Sequence, residues 1–174
     1  AAYAYLARQE MDAAMSHFDQ AVRIDPCQHD SWTMMGGIQE NSGQQDRAIS
    51  YYKRALVFDD QGHESTLALC RLYAARKDIR EAIDTLRITL FRDQRSAKLN
   101  LALAKLLETR AAQLRRSRCW RAEQRVLEEA ARCYHVAIAS APSADACVRL
   151  ALLERRLEHH PQALAALQLS LIHI

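Results

Sequence analysis

Small and apolar residues return along this chain on a beat of 34 positions, with polar residues filling the intervals. Ala2, Gly36, Cys70 and Ala104 mark the beat; Ala14, Ala48 and Ala82 each follow twelve residues after the first three, and Phe18, Tyr52 and Leu86 four residues further on. A fixed period of this length marks a solenoid of helix pairs. The small residues sit where two antiparallel helices approach closely, and the large ones fill the gap to the next pair. Apolar spacing near 3.6 within each period predicts two helices and a short turn. In the second unit these run over about Ser31–Glu40 and Gln45–Val57, turning at Asn41-Ser42-Gly43, where Gly43 suits a left-handed cap. In the third they run over about Glu64–Arg76 and Ile79–Phe91, turning at Lys77-Asp78. Asp25-Pro26 and Ala141-Pro142-Ser143 end helices, because proline lacks a donor and crowds the preceding turn.

The fourth period breaks the beat. Its small residue is Ala104, but the matching alanine is Ala130, followed in frame by Tyr134, Ala137 and Pro142; the gap is 26 rather than 12. No glycine or proline interrupts residues 97–141, so the 14 extra residues are not a loose loop. Seven on each arm is close to two helical turns, which keeps the same faces together and lengthens the hairpin by about 10 Å. Leu103, Leu107, Ala111 and Leu114 on one arm, with Trp120, Leu127 and Tyr134 on the other, carry the apolar spacing. The expectation is a protruding hairpin turning near Arg116–Cys119. A fifth unit follows with Leu150-Ala151, Ala163, Leu167 and Ser170, turning at Glu158-His159-His160-Pro161, and the pattern fails after Leu171.

The best-formed unit carries Trp32, Met35-Gly36, Ala48, Tyr52 and Ala55. The unit before it carries Tyr5, Ala14, Phe18, Ala21 and a closing Ile24-Asp25-Pro26; the one after carries Leu69-Cys70, Tyr73, Ala82 and Leu86. This pattern resembles the tetratricopeptide repeat over nearly the whole chain. Gln39 stands where a tyrosine is usual, and Asp60 and Gln94 replace the closing proline. The resemblance implies an all-α, right-handed superhelical solenoid of antiparallel helix pairs in one domain over residues 1–174. About five repeats are expected, at about 1–28, 29–62, 63–96, 97–144 with the extension, and 145–174. The first and last are partial, as in a fragment of a longer protein.

The resemblance also implies that the first helix of each pair lines a concave groove for an extended peptide or a partner helix. Mapped here, the inward positions are Asp30, Thr33, Met34, Gly37 and Glu40; then Glu64, Leu67, Ala68 and Arg71; then Lys98, Leu101, Lys105 and Glu108. Family members that clamp a terminal carboxylate do so with lysine, asparagine and arginine on successive inner helices. Thr33, Met34 and Gly37 supply none of those donors, which argues against chaperone-tail binding.

Composition changes this picture in few places. About half the residues are apolar and only four are glycine, as in an ordered helical chain. No apolar stretch reaches the roughly 18 residues a membrane span needs. Five cysteines without a Cys-x-x-Cys pair give no zinc ribbon, redox motif or disulfide framework, so an intracellular, reducing setting is expected, the cytoplasm first, with an organelle or the nucleus as alternatives. Phosphate-binding glycine loops and nucleophile elbows are absent; no catalysis, metal or cofactor is expected. Charge, in contrast, is concentrated. The net charge is +3, yet residues 110–125 alone carry +5, from Arg110, Arg115, Arg116, Arg118, Arg121 and Arg125 against Glu123. With Trp120 beside them, these arginines can grip carboxylate or phosphate groups. A lone aromatic argues against RNA, whose recognition usually stacks several bases. The expected function is a non-enzymatic scaffold for protein partners in a larger assembly. An RNA-associated helical repeat and a regulatory domain of a larger enzyme are the alternatives.

Overall fold

The computed structural model describes residues 2–59, 62–158 and 168. Eight helices, and no strand, occur among the described residues: α1 (Ala2–Ile24), α2 (His29–Asn41), α3 (Gln45–Phe58), α4 (His63–Ala75), α5 (Ile79–Arg92), α6 (Ala97–Arg116), α7 (Trp120–Ser140) and α8 (Ala144–Arg156). They fall into two compact units, Ala1–Ala75 and Arg76–Ile174. None of the helices is long and apolar enough to cross a membrane.

In the first unit α1 packs on α2, α2 on α3, and α3 on α4. The α2–α3 contact is as close as the small residues predict. A Cβ on Gly36 would stand 2.7 Å from two ring carbons of Tyr52, and Ala48 and Ala55 have no exposed surface. Trp32 anchors the next layer: its indole N–H donates to the Pro26 carbonyl at 2.9 Å. Its ring stacks on Tyr51 at 6.0 Å between centroids, and the Arg54 guanidinium lies 5.0 Å from the Trp32 ring centroid.

One expectation fails in this unit. The first repeat was to be a helix pair, yet α1 runs unbroken for 23 residues. Its turn would fall at Arg8-Gln9-Glu10, which are three strong helix formers without a glycine, and the helix simply continues. The side chains of Ala2 and Tyr5 lie outside those described, as do the second helix expected for the fifth unit and the His159-His160 pair.

The second unit packs α5 on α6, α6 on α7 and α7 on α8. α6 has 20 residues where α2 and α4 have 13, and α7 has 21 where α3 and α5 have 14. The insertion thus divides seven and seven. Seven residues advance a helix by two turns less about 20°, so each arm keeps its apolar face on its partner. Leu103, Leu107 and Ala111 are buried on α6, and Leu127, Ala130 and Tyr134 on α7. Trp120 departs from the pattern: expected on the apolar face, it is 61% exposed. It is the first residue of α7, beyond the last buried position of α6, Ala111.

The turns show the same regularity. Gly43, Lys77, Arg118 and Glu158 all have positive φ, between 55° and 76°. Gly43, Lys77 and Glu158 each lie seven residues after their small-residue position, and Arg118 fourteen after Ala104. The bonding repeats as well. Ser42, Gly43 and Gln44 donate to the carbonyls of Ile38, Glu40 and Gln39, while Ser117, Arg118 and Cys119 donate to those of Gln113, Arg115 and Leu114. One turn has been carried outward intact, satisfying the last carbonyls of α6 as it does those of α2.

Candidate functional site

Three surfaces are candidates, each taken by itself: the faces of α2 and α4 expected to point inward in the first unit, those of α6 and α8 in the second, and the hairpin tip. On α2, Met34 is exposed at 58% and Asp30 is exposed beside His29, whose Nδ1 lies 3.3 Å away. Thr33 is half-buried, bonded to the His29 carbonyl at 3.1 Å and to the Ser65 hydroxyl of α4 at 2.8 Å. Gly37 is half-buried, 3.7 Å (from its would-be Cβ) below the Tyr52 hydroxyl. On α4, Glu64 is exposed, Leu67 half-buried and Ala68 buried. Thr33 therefore ties α2 to α4, and Ala68 offers no surface.

Glu40 is the centre of the α2–α4 surface. Arg71 of α4 clamps it with a fork, Nε to Oε1 and Nη2 to Oε2, both at 3.1 Å. The buried Tyr52 hydroxyl donates to the same carboxylate at 2.9 Å. Burial first, and then Glu40, push the Tyr52 pKa well up. The hydrogen bond to Glu40 likewise raises that of Arg71. The second unit repeats the device. The Tyr134 hydroxyl donates to Glu108, Arg149 of α8 approaches the same carboxylate at 3.6 Å, and burial followed by Glu108 raises Tyr134. Lys105 reaches Asp145 of α8 at 3.4 Å. Burial opposes the Asp145 charge, but Arg149 and Lys105 together outweigh it and hold the carboxyl below its ordinary range. Lys98 is exposed and Leu101 half-buried.

Sequence reasoning put Glu40, Arg71, Lys105 and Glu108 on inward faces but treated them as open charges; each has a partner within its own unit. It missed Tyr52 and Tyr134 as their anchors, and Asp145 and Arg149 as their neighbours. A signal was present. Glu40 and Glu108 lie two periods apart, and each is followed by a tyrosine after 12 or, with the 14-residue extension, 26 residues.

At the tip, Arg115, Arg116, Arg118, Arg121 and Arg125 are exposed, and Trp120 is exposed beside them. Arg110 belongs elsewhere: it is half-buried and donates to Gln113 at 3.1 Å. The one acid, Glu123, is buried and bonded to Arg156 of α8 at 2.8 Å, so it does not offset the exposed arginines. Among the described residues there is no group of three or more His, Cys, Asp or Glu side chains able to hold a metal ion. Cys70 is buried, and burial pushes its thiol up to about 12, far from a reactive thiolate.

Residues 1–26 and 29–59 match the Tetratricopeptide repeat family. Over 78 residues, or 43% of its length, the chain is 37% identical to Protein O-mannosyl-transferase TMTC1 of Mus musculus, of which it spans 8%. Among solved structures it is similar to MamA, with a TM-score of 0.68 at 16% identity, over 95% of this chain and 89% of that one. It is also similar to YrrB, described as a tetratricopeptide-repeat protein with an unusual peptide-binding site, with a TM-score of 0.64 at 15% identity, over 97% of this chain and 80% of that one. The chain carries tetratricopeptide repeats and has the fold of tetratricopeptide-repeat proteins.

Proposed function

We propose that this chain is a non-enzymatic protein-interaction scaffold. Its inner helices hold an extended peptide or a partner helix, and its arginine-tipped arm contacts a partner subunit of a multi-subunit complex. The observation that carries the reading is the fixed frame beneath the inner faces. Tyrosines buried between paired helices hold Glu40 and Glu108 in place, and arginines from the next inner helix lock them from the other side. Exposed Met34 and half-buried Leu67 sit beside that frame as apolar contacts. A surface set before the partner arrives loses less side-chain entropy on binding. The peptide-binding site named for YrrB, on a similar fold, agrees with such use.

A regulatory part within a larger enzyme is the second reading, and the partial match to an O-mannosyl-transferase favours it. Affinity purification with three baits tests the scaffold: the wild type, Met34→Glu with Leu67→Glu, and Arg115, Arg116, Arg118 and Arg121 all changed to glutamate. Each variant set should lose specific partners while keeping wild-type circular dichroism. A partner set indifferent to both would overturn the reading, and co-purification with a glycosyltransferase polypeptide would favour the second.

A further inference from the structure

We infer that the hairpin tip is a docking site for an acidic protein segment carrying an apolar anchor side chain, which enters a cleft beside Trp120. The inference rests on the reading that the tip contacts a partner. The cleft, of about 470 Å³, opens between the start of α7 and the end of α8. Trp120 and Arg115 stand on its walls, Leu127 and Leu157 give it apolar surface, and the Glu123–Arg156 pair lies within it.

Three features set the ligand chemistry. First, Arg115, Arg116, Arg118, Arg121 and Arg125 are exposed, and no side chain among them is paired with another described residue. Like charges so concentrated repel one another, and an incoming polyanion relieves that repulsion. Second, Arg156 binds Glu123 at 2.8 Å, so the local acid does not compete for those arginines. Third, an exposed tryptophan at the mouth of a cleft with leucines in its lining favours an apolar, above all aromatic, side chain, because a few buried anchors of this kind carry much of the binding energy at protein interfaces.

These features fit a protein segment better than a nucleic acid. Glu158 and Gln124 line the cleft and can accept the N–H donors of a peptide backbone running past the anchor side chain. One exposed tryptophan also gives no platform for successive bases.

Fluorescence anisotropy with the full chain tests this, using three labelled probes: a short Glu/Asp-rich peptide with one central phenylalanine, the same peptide with serine there, and a single-stranded oligouridylate. The phenylalanine peptide should bind at least about tenfold more tightly than the serine peptide. Trp120→Ala should erase that difference and leave weak, salt-sensitive binding, whereas Arg121→Ala with Arg125→Ala should weaken both peptides. Equal affinity of the two peptides, tighter binding of the RNA, or no binding at low salt would each overturn the inference. If the glutamate-tipped bait loses its partners while neither peptide binds, the partner contact stands and the acidic-anchor class falls.

Discussion

Gly36 and Gly37 are neighbours on α2, and the structure gives them opposite responses to the same change. Alanine in place of glycine in a helix gains about 1 kcal/mol of propensity at either position. At Gly37 the new Cβ meets only the Tyr52 hydroxyl, at 3.7 Å, an ordinary contact. Gly37→Ala should therefore stabilise by nearly the whole propensity term. At Gly36 it would stand 2.7 Å from Cδ1 and Cε1 of Tyr52 and 3.0 Å from Cγ, where carbon pairs prefer about 3.5–4.0 Å. The ring is 4% exposed and tied to Glu40 through its hydroxyl, so it cannot recede without moving α3. Overpacking of this kind costs about 1–3 kcal/mol, leaving Gly36→Ala neutral to destabilising by about 2 kcal/mol. The difference between the two variants cancels the propensity term and isolates the helix contact. Urea unfolding followed at 222 nm reads it directly. Equal midpoints for the two variants would show that α2 and α3 do not meet at Gly36, and the repeat register would be wrong.

The turn residues make a second paired test. Gly43→Ala should destabilise by about 1 kcal/mol, with nothing within 4 Å to compensate, whereas Arg118→Gly should stabilise by about 0.5 kcal/mol, the roughly 1–2 kcal/mol left-handed penalty less glycine's extra chain entropy; thermal unfolding gives both signs. Alkaline titration checks the buried phenols. Because the folded-state pKa values of Tyr52 and Tyr134 lie above the ordinary value of about 10, their contribution to stability is complete below pH ~10 and is lost as pH rises beyond it. Absorbance at 295 nm should show these two ionising only with unfolding, and Tyr52→Phe and Tyr134→Phe should each remove part of that late step.

Much of this fold was legible because packing leaves a mark at every repeat. A residue that must be small, such as Ala48, Ala82 or Ala130, recurs at the same place, and all three have no exposed surface. The extension was legible because Ala104 and Ala130 keep the register on either side of it, both buried, and no glycine or proline breaks the helices between them. What escaped was set by pairwise geometry between helices. That Arg71 reaches Glu40 depends on the distance between α2 and α4, which the Thr33–Ser65 contact helps set and no single-helix pattern encodes. Trp120 carried two readings, one on the apolar face and one beside the tip arginines, because apolar spacing cannot tell where along an arm its partner helix stops providing a buried surface; it is exposed. The unbroken α1 shows the converse error: periodicity implied a turn where the local residues favour continuing the helix.

The way the arm is lengthened bears on what the tip can do. A loop of 14 residues would leave its arginines to be ordered at the moment of binding, at a cost of about 1–2 kcal/mol per residue fixed. Here the added residues extend two helices that continue to bury side chains against each other, through Leu107 and Ala111 on one arm and Leu127 on the other. Arg156 reaching Glu123 ties the base of the tip to α8 as well. The turn that presents Arg118 has the bonding of an ordinary repeat turn, carried out by two helical turns. The ordering cost has thus been met in folding, and five guanidinium groups stand on a fixed support before any partner arrives. A basic tail would bind any polyanion; on the proposed docking, this preorganisation is why a specific anchor beside Trp120, rather than charge alone, should decide what the tip holds.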